Sequence, residues 1–148
     1  MMGNYILDAD GEPVAADLET WSAWFEDGQR DGRRVVLQEH PARGVLVSTV
    51  FLGLDHNWRV DGAPVLWETM IFGGLFADYQ DRYDSRLKAL LGHARCVALI
   101  NAYRAVPRKT KRALQKFAAA YMHEPSATRR PREQRRLHRV LARIGWRA

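Results

Sequence analysis

The sequence predicts an α+β fold: an antiparallel β-sheet of about five strands, one inserted helix, and a basic helical extension at the C-terminus. Three observations carry this. Two runs rich in β-branched, aromatic and aliphatic residues, Val45 to Leu54 and Val65 to Phe72, flank a loop containing Asp61-Gly62, the pattern of a long antiparallel hairpin. Apolar residues then recur at helical spacing, at Leu87, Leu90, Leu91, Ala94, Val97 and Ala98. Lys and Arg finally crowd into the last third of the chain.

The first element is a short hairpin. Asn4 to Leu7 and Glu12 to Ala15 flank Asp8-Ala9-Asp10-Gly11, a turn-forming run. Asp17 is placed to cap a helix reaching about Asp27, with Leu18, Trp21, Trp24 and Phe25 on one face. Gly28 to Arg34 reads as a polar loop, Val35 to Glu39 as a strand, and Pro41 to Gly44 as the turn leaving it. In the central hairpin, apolar residues occupy both alternating sets, so both sheet faces need cover from helices or a second subunit. Self-association into a homo-oligomer is therefore expected. Gly73-Gly74 ends the second run, and Leu75 to Tyr83 reads as an aromatic loop. Asp84 or Ser85 can cap the next helix, which should stop near Val106 because Pro107 restricts its predecessor. Leu114, Phe117, Ala118 and Tyr121 stripe a further helix. Pro125 to Pro131 reads as a linker before a last helix over 132–144.

Charge divides the chain in two. Residues 1–103 hold 9 Lys+Arg against 15 Asp+Glu, a net −6, whereas residues 104–148 hold 14 basic residues against Glu124 and Glu133, a net +12. This suggests an α+β body over 1–103 and a basic extension over 104–148 packed upon it. At ~100° per residue, Arg132, Arg135, Arg136, Arg139 and Arg143 share one narrow sector, beside an apolar sector of Leu137, Val140, Leu141 and Ile144. With Arg108, Lys109, Lys111, Arg112 and Lys116 on the preceding helix, these residues form a candidate nucleic-acid-binding set that would neutralise phosphates without reading bases. The alternative partner is an acidic surface, including that of the chain's own body.

Composition narrows the setting. The chain has 148 residues, 47% of them hydrophobic, enough for one domain with a true core. Its single cysteine, Cys96, excludes an internal disulfide and a thiolate zinc site, and a reducing cytoplasm is the expected location. The first ten residues lack the basic-then-apolar pattern of a signal peptide. No apolar run has the length of a membrane span, so no membrane partner is expected.

Ordered blocks carry a resemblance. Val47-Ser48-Thr49-Val50-Phe51-Leu52-Gly53-Leu54-Asp55-His56-Asn57, then Glu68-Thr69-Met70-Ile71-Phe72-Gly73-Gly74, then Tyr83 followed by a helix reaching Gly92-His93, resemble a group of small uncharacterised accessory proteins of bacteriophages and prophages. The helix with Trp21 and Trp24 fits the same pattern, which spans roughly residues 4 to 100; the basic extension is additional to it. The resemblance implies a non-enzymatic protein that binds and inhibits a host component. An antagonist of bacterial immunity, acting on a protein or a nucleotide signal, would fit.

Two kinds of site compete with that expectation. Asp55, His56, Glu68 and His93 are the titratable residues of the matching blocks. If folding gathers them, they could form an acid–base pair or a small hydrolase centre. With no HxH, HExxH or CxxC spacing, neither a metal nor a cofactor is expected. Ser48 and Thr49 lack a nucleophile elbow, and Gly73-Gly74 lacks the Lys-Ser/Thr of a phosphate loop. The aromatics Trp58, Phe72, Tyr79 and Tyr83, with Arg59 and Arg82, form the candidate binding set for a host protein or a nucleotide; Trp21, Trp67 and Arg86 extend the same chemistry.

Overall fold

Among the described residues, this α+β fold has six strands, divided between two sheets. The structure, a computed structural model, describes residues 3–57, 62–112 and 115. β1 (Asn4–Leu7) and β2 (Pro13–Ala16) pair antiparallel as a separate hairpin, joined to the rest by a single bridge from Asn4 to Leu54. β3 (Val35–Ala42), β4 (Val45–Phe51), β5 (Trp67–Phe72) and β6 (Gln80–Tyr83) form an antiparallel meander in sequence order. β6 lies inside the segment that sequence reads as an aromatic loop. Its residues Gln80-Asp81-Arg82-Tyr83 show no apolar alternation, and pairing with β5 is what makes them a strand.

Helix α1 (Leu18–Asp31) starts where expected, with the Asp17 carboxylate accepting from the Thr20 amide at 2.8 Å. It runs four residues past Asp27, through Gly28, and stops at Gly32, which takes a left-handed conformation. β3 similarly continues through Pro41. An edge strand tolerates the missing amide, and the register with β4 shifts between Glu39 and Ala42. Helix α2 (Arg86–Ala105) is capped by the Ser85 hydroxyl and closes at Val106. Helical backbone resumes over 108–112, after Pro107. No helix among the described residues is long and apolar enough to cross a membrane.

Both helices pack on one face of the four-stranded sheet. Register places Val45, Val47, Thr49 and Phe51 of β4 beside Trp67, Thr69 and Ile71 of β5 on that face. Val47 and Ile71 meet Cys96 and Ile100 of α2, while Phe51 and Trp67 meet Ala89 of α2 and Trp24 of α1. The indole N–H of Trp21 donates to the Gly53 carbonyl at 2.7 Å, tying α1 to the end of β4. Gly92 is where α2 comes closest to the sheet: a Cβ there would stand 1.9 Å from the Tyr83 hydroxyl.

The opposite face has no helix against it among the described residues. Its rungs are Val35–Val50–Glu68–Arg82 and Gln38–Ser48–Met70–Gln80, with Leu46–Phe72 at one end. Phe72 is 47% exposed and Val35 is 41% exposed. The two-sided apolar pattern of the central hairpin thus has two explanations: a helix-covered core on one face, and an open, partly apolar surface on the other.

Candidate binding surfaces

The four titratable residues of the matching blocks do not meet. Asp55 turns back into its own loop, its Oδ1 accepting from the amides of Asn57 at 2.7 Å and Val65 at 2.9 Å. This is the hairpin-bracing role that an Asp performs in a turn. His56 Nδ1 donates to the Leu54 carbonyl at 2.8 Å. Glu68 lies on the open face and His93 on the helix-covered face, with the sheet between them. Nothing in this arrangement lets Asp55, His56, Glu68 and His93 act on one substrate. Among the described residues no cluster of three or more His, Cys, Asp or Glu side chains is placed to hold a metal ion.

A hydroxyl–imidazole–carboxylate series exists elsewhere, built partly from residues that sequence does not single out together. His93 is fully buried, with Nδ1 2.9 Å from Thr49 Oγ1, and Thr49 Oγ1 lies 2.7 Å from Thr69 Oγ1. Its Nε2 is 3.3 Å from a carboxylate oxygen of Glu39, a long contact. The groups are those of a nucleophile triad; the access is not. Thr49 and Thr69 are both wholly buried, so no substrate carbonyl can reach either hydroxyl. Burial lowers the His93 pKa from its usual value, and the charge of Glu39 only partly opposes this, so the ring is neutral near pH 7. With the ring proton on Nε2, which faces the Glu39 carboxylate, Nδ1 accepts a hydrogen bond from the Thr49 hydroxyl. The cluster pins α2 to β4 and β5 and gives the buried strand hydroxyls their partners.

The open face is different in kind. Glu68 is buried at its centre by two neighbours on β6: Arg82 Nε donates to Glu68 Oε2 at 2.7 Å, and the Gln80 amide donates to the same oxygen. Gln38 donates to the Ser48 hydroxyl at 3.1 Å. Around this polar centre lie Val35, Val50, Leu46, Met70 and the exposed ring of Phe72. Of the binding residues expected from sequence, Phe72 and Arg82 stand on this face. Tyr79 does not: it packs against the core of Val47, Ile71 and Cys96. Tyr83 is also turned inward, under Gly92, and its buried hydroxyl makes no aligned hydrogen bond. Burial drives the Tyr83 pKa upward, with the charge of Asp81 adding to the effect. Trp58 and Arg59 lie outside the described residues.

The turn beside the open face is fixed by glycine. Gly73 and Gly74 both have positive φ, and a Cβ on Gly73 would fall 2.0 Å from the Gly44 carbonyl oxygen in the β3–β4 turn. Phe72 is therefore held at a rigid corner.

Of the basic set, Arg108, Lys109, Lys111 and Arg112 lie at the start of the helix after Pro107. The Lys111 amine donates to the Arg104 carbonyl at 3.2 Å and stands 5.5 Å from the Tyr103 ring centroid. Arg108, Lys109 and Arg112 are exposed and form no ion pair among the described residues. Lys116, Arg132, Arg135, Arg136, Arg139 and Arg143 lie outside them. The chain matches no family model, no curated protein and no solved structure.

Proposed function

We propose that this chain is a non-enzymatic binding protein of the phage accessory type, which docks the open face of its four-stranded sheet on a host protein and inhibits it. The observation that carries the reading is that face itself: a partly apolar surface, 47% exposed Phe72 at one end, with a buried Glu68 carboxylate held by the exposed Arg82 at its centre. Exposed aromatic and aliphatic side chains around a fixed polar pair resemble a protein interface, where an anchor supplies affinity and a charged pair supplies orientation. The sequence blocks that resemble those of phage accessory proteins supply the context: a host-defence component as target, in the bacterial cytoplasm. The scattered titratable residues and the inaccessible Thr49 hydroxyl weigh against the hydrolase alternative.

The test is affinity capture from bacterial host lysate, with wild-type protein and a Phe72→Asp variant side by side, read by mass spectrometry. A host protein held by the wild type and lost from the variant supports the reading. Equal recovery by both, or recovery of bulk nucleic acid alone, contradicts it.

Nucleic-acid binding is the second reading, favoured by the exposed Arg108, Lys109 and Arg112, which form no ion pair among the described residues, at the head of a segment with net charge +12 over residues 104–148. Duplex DNA affinity that falls steeply with salt, and weakens when these three become Ala, supports it. Salt-independent or undetectable binding removes it.

A further inference from the structure

A cleft of about 580 Å³ opens between the β1–β2 turn, α1 and the start of α2, away from the open face of the sheet. It is a solvent-open hollow with room for a small molecule. Three unlike chemistries line it. Trp24 of α1 lines one side, with the Arg33 guanidinium over its ring, 5.8 Å from the centroid. Arg86, the first residue of α2, brings a guanidinium to the turn, where it would lie 3.4 Å from a Cβ at Gly11. Asp10 brings a carboxylate from the turn itself.

The charges in the cleft are not all neutralised. Arg33 is committed to Asp31, with which it forms an ion pair. Asp8 is committed to its own turn, its Oδ1 accepting from the amides of Asp10 and Glu12, both at 2.9 Å. Arg86 and Asp10 have no hydrogen bond or ion pair from their side chains among the described residues. Among the described residues, the cleft thus offers an uncommitted guanidinium, an uncommitted carboxylate and, in the Arg33 guanidinium over Trp24, a group on which a planar base can stack.

We infer that this cleft binds a nucleoside 5′-phosphate, with the base against Trp24 and Arg33, the phosphate on Arg86 and the ribose hydroxyls donating to Asp10. Each group of the ligand meets the side chain suited to it. A planar base stacks on indole and guanidinium. A phosphate takes the charge-assisted hydrogen bonds of a guanidinium. A ribose diol is the donor that a carboxylate accepts. An inorganic anion alone would leave Arg33 and Trp24 unused and would meet Asp10 unfavourably. The site lies on a different face from the proposed protein-docking surface and does not depend on that reading.

The test is isothermal titration of the full chain with the four ribonucleoside 5′-monophosphates, the matching nucleosides and inorganic phosphate. Arg86→Gln and Asp10→Asn are run beside the wild type. Both substituted residues are exposed, and circular dichroism verifies that the variants fold. At least one monophosphate should bind the wild type. The affinity should fall about tenfold in Arg86→Gln and about tenfold for the nucleoside lacking phosphate, the loss of one charge-assisted contact. A smaller fall is expected for Asp10→Asn. Binding that is unchanged in Arg86→Gln would place the nucleotide on other basic residues and overturn the proposal. Phosphate binding as tightly as the nucleotide, or no binding by any nucleotide, overturns it equally.

Discussion

Gly92 and Tyr83 show how closely one residue can set the position of a helix. A Cβ at Gly92 would lie 1.9 Å from the Tyr83 hydroxyl and 2.4 Å from the ring carbon bearing it, so neither a rotamer change nor a small shift makes room. Gly92→Ala should cost about 2 kcal/mol or more in a urea unfolding experiment, the cost of overpacking a tight contact. Tyr83→Phe should cost little in the same experiment, well under Gly92→Ala, because the buried hydroxyl it removes has no well-aligned partner. Cys96 gives a second residue-scale expectation. Burial first, and then the charge of Asp81, push its pKa up to about 12, so at pH 7.5 it is a protonated thiol packed against Val47 and Ile71. A thiol reagent should leave native protein unlabelled and react once denaturant is added. Prompt reaction of the native chain would contradict a buried, protonated Cys96.

At the scale of elements, two side chains on two helices hold the layers together: Trp21 at the Gly53 carbonyl, and His93 among the strand hydroxyls. Trp21→Phe keeps the apolar body and loses the 2.7 Å hydrogen bond, for an expected loss of about 1 kcal/mol. His93 introduces a pH dependence with a defined sign. Its folded pKa lies below the unfolded value of about 6.5, so as pH falls below that value the unfolded chain takes up a proton that the folded chain resists. The stability contribution is therefore complete above this range and declines on acidification. The urea midpoint should drop between pH 7.5 and pH 5.5 by more in the wild type than in His93→Gln, which cannot titrate. Equal drops would contradict a buried neutral imidazole.

The same elements show what a sequence can and cannot disclose. The caps at Asp17 and Ser85, the stop before Pro107 and the pairing of the two central strands are legible because local rules and tertiary structure agree at those positions. β6 is not legible, since Gln80 to Tyr83 becomes a strand only through its neighbour. Gly28 reads as a loop residue, yet packing carries α1 through it to Gly32. The candidate site is less legible still. Alternation along Ser48, Val50, Glu68 and Met70 cannot say which face the helices take, and Thr49, Thr69 and Glu39 join His93 only through cross-strand register. Tyr79 and Tyr83 have the composition of a binding surface but face inward, because alternation and the Gly92 contact place them there.

For the whole molecule, the central claim is that one sheet face folds the protein and the other meets a partner. The unreactive Cys96 makes the claim measurable, because a cysteine placed at the surface reports alone. Val35→Cys sits on the open face, where the native side chain is 41% exposed, and Leu87→Cys sits on α2, where the native side chain is 68% exposed. The measurement is the maleimide labelling rate of each variant, in buffer and in bacterial host lysate. In buffer both should label readily; in lysate Val35→Cys should be protected severalfold while Leu87→Cys keeps its rate. Equal rates at both positions in lysate would contradict a binding role for the open face, and slow labelling of Val35→Cys in buffer alone would show that the chain already covers that face itself.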